Sequence, residues 1–347
     1  MSWRGDLLTA LLSAWLIAGV FLDAWAHNTR PSLETFFTPW HAVLYSGFLA
    51  TGGWITWTAC RARRRGGSWA AVPPGYGLAA GGVVVFAVAG FGDMLWHVVF
   101  GIERDLAALL SPTHLGLFVG MLLIVTAPLR SAWAWPGPGR APLLPAALSL
   151  MLAGTLTAFV LQPFHPMAHN FVSRRLATLI LERTGSTFAV ARYMLTGLAG
   201  FMVATLCLFA PVLLLVQRWR PPAGVIAGMV ALQCLLMQGT VGFRDPLLAG
   251  LGAFGALAVE GLARALRPEA GDRWRVQAFV GLTPPLFWGI YMAGIAIRDG
   301  GLGWGVEFWS GTLVWTGLTL LALALAMSSG GARRPEAKIA PVARESG

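Results

Sequence analysis

Hydrophobic residues in this chain run in long unbroken stretches rather than in alternation. Ten stretches are long enough to cross a bilayer as helices: 7–26, 40–59, 77–98, 112–129, 144–164, 191–216, 222–241, 246–263, 276–296 and 309–327. About 20 apolar residues suffice for one crossing. The short alternating segments of a transmembrane barrel are not found. The pattern predicts an all-α fold: a polytopic integral membrane helical bundle of about ten transmembrane helices. Three regions follow: a half at 1–190 with five spans and an outer interfacial loop, a five-span half at 191–328, and a polar, disordered cytoplasmic tail at 329–347.

Composition narrows the class. Of 347 residues, 56% are apolar and 12% charged, and the mean hydropathy is +0.66. Soluble domains carry about a quarter charged residues. A soluble enzyme, a disordered chain and a secreted disulfide scaffold are excluded. Cys60, Cys207 and Cys234 show no paired spacing of a thiolate metal site.

The net charge of +10 matters by position. Seventeen basic residues, including Arg4, Arg61, Arg63–Arg65, Arg130, Arg218, Arg264 and Lys338, fall on one side of the predicted spans, and eight on the other. The positive-inside rule places both termini in the cytoplasm of a multi-pass cell (inner) membrane protein. No soluble basic face is offered to nucleic acid. Arg4, the first apolar run and Ala24-Trp25-Ala26 also have the form of a signal peptide. The run is read as a span because it is long and its end recurs later in the chain.

That recurrence carries the candidate chemistry. All six histidines (His27, His41, His97, His114, His165 and His169) map to extracytoplasmic ends of the first five spans. The first span ends Phe21-Leu22-Asp23-Ala24-Trp25-Ala26-His27 and the third ends Phe91-Gly92-Asp93-Met94-Leu95-Trp96-His97. The second opens Thr38-Pro39-Trp40-His41 and the fourth Ser111-Pro112-Thr113-His114, each with a glycine six residues on, Gly47 and Gly120. Two helical hairpins related by a parallel duplication are predicted. His165 and His169, again four apart, close the fifth span.

Residues four apart share a helical face, so Asp23 with His27, Asp93 with His97, and His165 with His169 can each address one point. Thr38 and Ser111 suit an N-cap and Pro39 and Pro112 the first helical position, which puts His41 and His114 in the first turn. Ionisable groups at membrane depth are costly and mark function. The candidate metal ligands are therefore His27, His41, His97, His114, His165, His169, Asp23 and Asp93. The two aspartates are ligands, bases or second-layer partners that fix the imidazole tautomer. Paired Asp and His side chains also brace a bundle without a metal. Imidazole and carboxylate without thiolate suit copper, iron or zinc, copper foremost at an outward-facing site.

Asp23, His27 and His41 resemble the metal motif of the C subunit of the copper membrane monooxygenases that oxidise methane and ammonia. Asp93, His97 and His114 match it with a longer gap. The resemblance covers about thirty residues per copy and implies copper near the outer leaflet and oxidative chemistry. The motif occurs twice here, the span count is higher, and no soluble copper domain is present. A second likeness is to intramembrane zinc amidohydrolases such as the alkaline ceramidases. There His165 and His169 would supply the paired histidines, and an Asp would be the base.

Four readings compete. One is a copper or iron oxidoreductase, a monooxygenase, acting on an apolar or amphipathic substrate. The others are a zinc hydrolase acting on a lipid, a metal-handling protein or transporter, and a haem protein. Partners are the bilayer, a lipid-soluble or anionic small molecule, and further copies or other membrane subunits. Residues 170–190 predict an interfacial helix, with Phe171, Val172, Leu176, Leu179 and Ile180 opposite Arg174, Arg175 and Arg183, either a lid or a connector. Arg30, Glu103 and Arg104 read as solvated charges.

Overall fold

The computed structural model describes residues 2–30, 38–101, 109–135, 142–269 and 271–331. Its helices are α1 (Trp3–Thr29), α2 (Pro39–Gly66), α3 (Tyr76–Phe100), α4 (Pro112–Val125), α5 (Ala127–Trp133), α6 (Leu143–Val160), α7 (Arg174–Thr184), α8 (Thr187–Arg218), α9 (Val225–Thr240), α10 (Pro246–Leu266), α11 (Arg273–Asp299) and α12 (Val306–Gly331). Among the described residues there is no named strand. The all-α polytopic bundle is thus the architecture found.

Among the described residues, eight helices are long and apolar enough to cross a membrane, with α4 and α5 counted as one. Two of the ten expected spans differ. Helix α2 is 28 residues long but carries Tyr45, Ser46, Thr51, Trp54, Thr56 and Thr58, and falls short in hydropathy. It packs against α1 and α3. Helix α9 is apolar but has only 16 residues, a length of about 24 Å. The tail beyond 331 and the charges Glu103 and Arg104 lie outside the described residues. Within them, α12 continues to Gly331, past the expected start of the tail.

The first four long helices form two hairpins, α1 with α2 and α3 with α4. Duplication is visible in their packing. A Cβ at Gly47 would sit 2.8 Å from the Leu16 backbone, and one at Gly120 would sit 2.8 Å from the Phe86 backbone. Gly47 and Gly120 hold the same place after their histidines, and Leu16 and Phe86 the same place before their aspartates. The two hairpins therefore cross at the same register, where only a bare backbone fits.

Helix α6 touches α1, α4, α8 and α9 and so joins the two halves. In the second half α8 packs on α6 and α12, while α9, α10, α11 and α12 meet in sequence. Two interior prolines leave notches that glycines fill. Pro211 in α8 frees the Cys207 carbonyl, and Gly154 of α6 stands where a Cβ would lie 2.7 Å from that oxygen. Pro285 in α11 frees the Gly281 carbonyl, and Gly317 of α12 stands at the same 2.7 Å. Helix α11 runs unbroken through Pro284 and Pro285.

Residues such as Leu11, Leu49, Val84, Val88, Phe91, Val98, Phe254 and Leu257 are exposed on outer helix faces. So much apolar surface on so many helices suits lipid, not water.

Candidate metal centre

Each hairpin brings its three candidate ligands together. Asp23, His27 and His41 form one group and Asp93, His97 and His114 the other, with the ligand atoms of each within 4.8 Å of one another. The local cause is the predicted one. Thr38 Oγ1 accepts from His41 N at 3.1 Å and Ser111 Oγ accepts from His114 N at 3.4 Å, with proline at the start of each helix. The returning helix thus begins with its histidine in the first turn, opposite the Asp and His that end the preceding helix.

Distances repeat between the groups. His27 Nε2 and His41 Nε2 lie 3.6 and 3.5 Å from Asp23 Oδ2. His97 Nε2 lies 3.5 Å from Asp93 Oδ2, and His114 Nδ1 lies 3.6 Å from Asp93 Oδ1. The paired rings stand 6.0 Å and 5.9 Å apart at 64° and 69°. At 3.5 Å His97 and Asp93 are within weak hydrogen-bond reach of each other. Two ligand atoms each about 2.0–2.2 Å from a tetrahedral ion stand roughly 3.3–3.6 Å apart, as these do.

The far sides of the His97 and His41 rings are engaged locally, whereas the His114 nitrogen that faces Asp93 is itself hydrogen-bonded to Ser111. His97 Nδ1 donates to the Gly101 carbonyl at 3.2 Å, which leaves the Nε2 lone pair for a ligand. His41 Nδ1 is hydrogen-bonded to Thr38 Oγ1 at 3.3 Å and His114 Nδ1 to Ser111 Oγ at 2.6 Å. Asp93 also accepts from Thr113 Oγ1 at 2.9 Å. Among the described residues, Asp23 Oδ1 is buried without a hydrogen-bond partner.

The groups are neighbours. Tyr45 of α2 links them, reaching from the His41 side to Phe86 and Gly90 of α3. Tyr45 lies one turn along α2 from His41, its ring 6.3 Å from the histidine's and 6.2 Å from that of Phe86 on α3. Its hydroxyl would be 3.2 Å from a Cβ at Gly90. The matching residue of the other hairpin is Phe118. No motif pointed to Tyr45, since a single tyrosine within a span reads as packing.

His165 and His169 stand apart. Among the described residues they join neither group. The expected helical face is not formed, because α6 ends at Val160 and residues 165–169 lie in turns around Pro166. His165 is 1% exposed, and burial pushes its imidazole down to about 3. Its Nδ1 accepts from Met167 N at 3.2 Å, so the neutral ring carries its proton on Nε2, which is buried without a hydrogen-bond partner among the described residues. His169 is exposed.

Other expectations shift too. Phe171 and Val172 are buried ahead of α7 instead of lining it. Helix α7 packs on α8, and Ser173 Oγ donates to Asp299 at 3.0 Å. A cavity of about 520 Å³ beside it is lined by Arg174, Arg175, Thr178, Leu179, Glu182 and Asp299, none of them a candidate ligand. Arg30 is exposed, as expected of a solvated charge, and also stands 5.3 Å from the Trp25 ring and 5.9 Å from that of Trp40. Arg298 joins Asp245 at 2.7 Å and Asp299 at 2.8 Å, tying α10 to α11.

A further buried acid, Asp6, lies at the opposite end of α1. It accepts from Tyr76 at 2.8 Å and from Ser131 at 2.9 Å, and Thr9 joins Tyr76 at 2.7 Å. This closed network ties α1, α3 and α5 and leaves neither carboxylate oxygen spare.

Comparison of the chain with family models, with curated proteins and with solved structures gave no match.

Proposed function

We propose that this chain is a membrane metalloprotein that holds a transition-metal ion in each Asp-His-His group and uses them to oxidise an apolar or amphipathic substrate. One observation carries the reading: the same three ligand types, from the same helix positions, recur at the same distances in two hairpins. Three protein ligands leave open positions for reacting molecules. Two imidazoles and one carboxylate suit iron or copper, which would pass electrons from the substrate to an external oxidant such as dioxygen. The exposed apolar residues Phe91, Leu95, Val98 and Val99 on α3 flank the second group and offer a lipid-soluble substrate a way in from the bilayer.

The arginine-rich end is assigned to the cytoplasm and the histidine-bearing end to the outer face of the inner membrane. A zinc hydrolase acting on a lipid is the second reading. It is favoured by Asp23 Oδ1, a buried carboxylate oxygen without a hydrogen-bond partner among the described residues, which would serve as base for a metal-bound water.

Metal analysis of the purified protein tests both. About two ions per chain are expected, falling to about one in His27→Ala and in His97→Ala. Copper or iron favours oxidation, and zinc favours hydrolysis. Metal content unchanged by both substitutions would defeat the proposal.

A further inference from the structure

The two groups share ligands but not surroundings. In the second hairpin Thr113, between Pro112 and His114, donates to Asp93 Oδ1 while Oδ2 faces His97. Both carboxylate oxygens are fixed. The corresponding residue of the first hairpin is Trp40, which has no hydroxyl and packs edge-on against Trp25 at 5.5 Å. There Asp23 Oδ2 faces both imidazoles, and Oδ1 is buried with no donor among the described residues. A buried acceptor left unpaired is costly and invites a ligand.

Exposure differs in the same sense. The Asp93 side chain is 3% exposed and that of His97 6%, against 16% for Asp23 and 32% for His27. The order reverses only at the returning helices, where His114 is 31% exposed and His41 13%.

We propose that the duplicated sites have divided their roles: the Asp93 site holds its ion permanently, and the Asp23 site is where ion and substrate exchange. This rests on the metal reading above. A carboxylate held by Thr113 cannot swing off the ion, whereas Asp23 can move between one-oxygen and two-oxygen ligation as a small molecule enters or leaves. Polar partners behind a metal ligand are worth about 10- to 100-fold in affinity. The sequence difference responsible is one residue, Thr113 against Trp40.

The test uses the full chain in detergent, loaded with cobalt(II) and challenged with excess chelator. Release is expected in two phases of equal amplitude. His27→Ala removes the fast phase and His97→Ala the slow one. Thr113→Val accelerates the slow phase by about 10- to 100-fold, and Thr113→Ser, which keeps the hydroxyl, restores it. Helicity and elution volume confirm that each variant is folded. A protein that binds two ions and frees them in a single phase overturns the division while leaving the metal reading intact. So does a slow phase that survives His97→Ala and is lost in His27→Ala. A protein that binds no cobalt overturns both.

Discussion

At the scale of single residues, the informative feature is which nitrogen of each histidine is engaged. His97 gives its Nδ1 proton to a backbone carbonyl and keeps a ligand lone pair at Nε2. His165 does the reverse, accepting from Met167 at Nδ1 and keeping a proton at Nε2. Spacing alone could not tell them apart, because the His165–His169 interval matches that of Asp23–His27 while the backbone between them is turned rather than helical. A pH effect follows from His165. Its native pKa is about 3, against about 6.5 in an unfolded chain. The unfolded chain therefore binds the extra proton first. The stabilisation from the neutral ring is complete above about pH 6.5 and is lost progressively as pH falls toward 3. Thermal melting in detergent should show a smaller loss between pH 7 and pH 4.5 in His165→Gln than in the unsubstituted protein. An equal loss would assign the acid sensitivity elsewhere.

At the scale of helices, run length made most of the spans legible, and the hydroxyl-Pro-x-His openings made the histidine-bearing first turns legible. Helix α2 was harder to place, since its middle is polar where it packs between α1 and α3. The proline notches were invisible, because Gly154 and Gly317 lie far along the chain from the carbonyls they cover. Tyr45 and Asp6 were equally hidden, each a lone residue whose partners come from other helices. The notches predict a sharp steric requirement. Gly154→Leu should destabilise the bundle by about 1–3 kcal/mol or more, as overpacking does. Gly228→Leu, at a glycine with open space around it, should be nearly neutral. Chemical unfolding followed by helicity compares the two, and similar losses would refute the notch.

At the scale of the whole molecule, charge and cysteine placement allow orientation to be read without engineering. Cys60 is exposed beside Arg61 and Arg63–Arg65, whereas Cys207 and Cys234 are buried. A membrane-impermeant thiol reagent should leave intact cells unlabelled and modify Cys60 in inverted vesicles. Labelling of Cys60 in intact cells would turn the protein over and place its histidines inside. Each group of ligands also draws on two helices, the end of one and the first turn of the next. An ion bound there clasps the mouth of its hairpin, so occupancy adds directly to thermal resistance. Melting temperature against metal concentration then becomes a binding assay that needs no knowledge of the substrate.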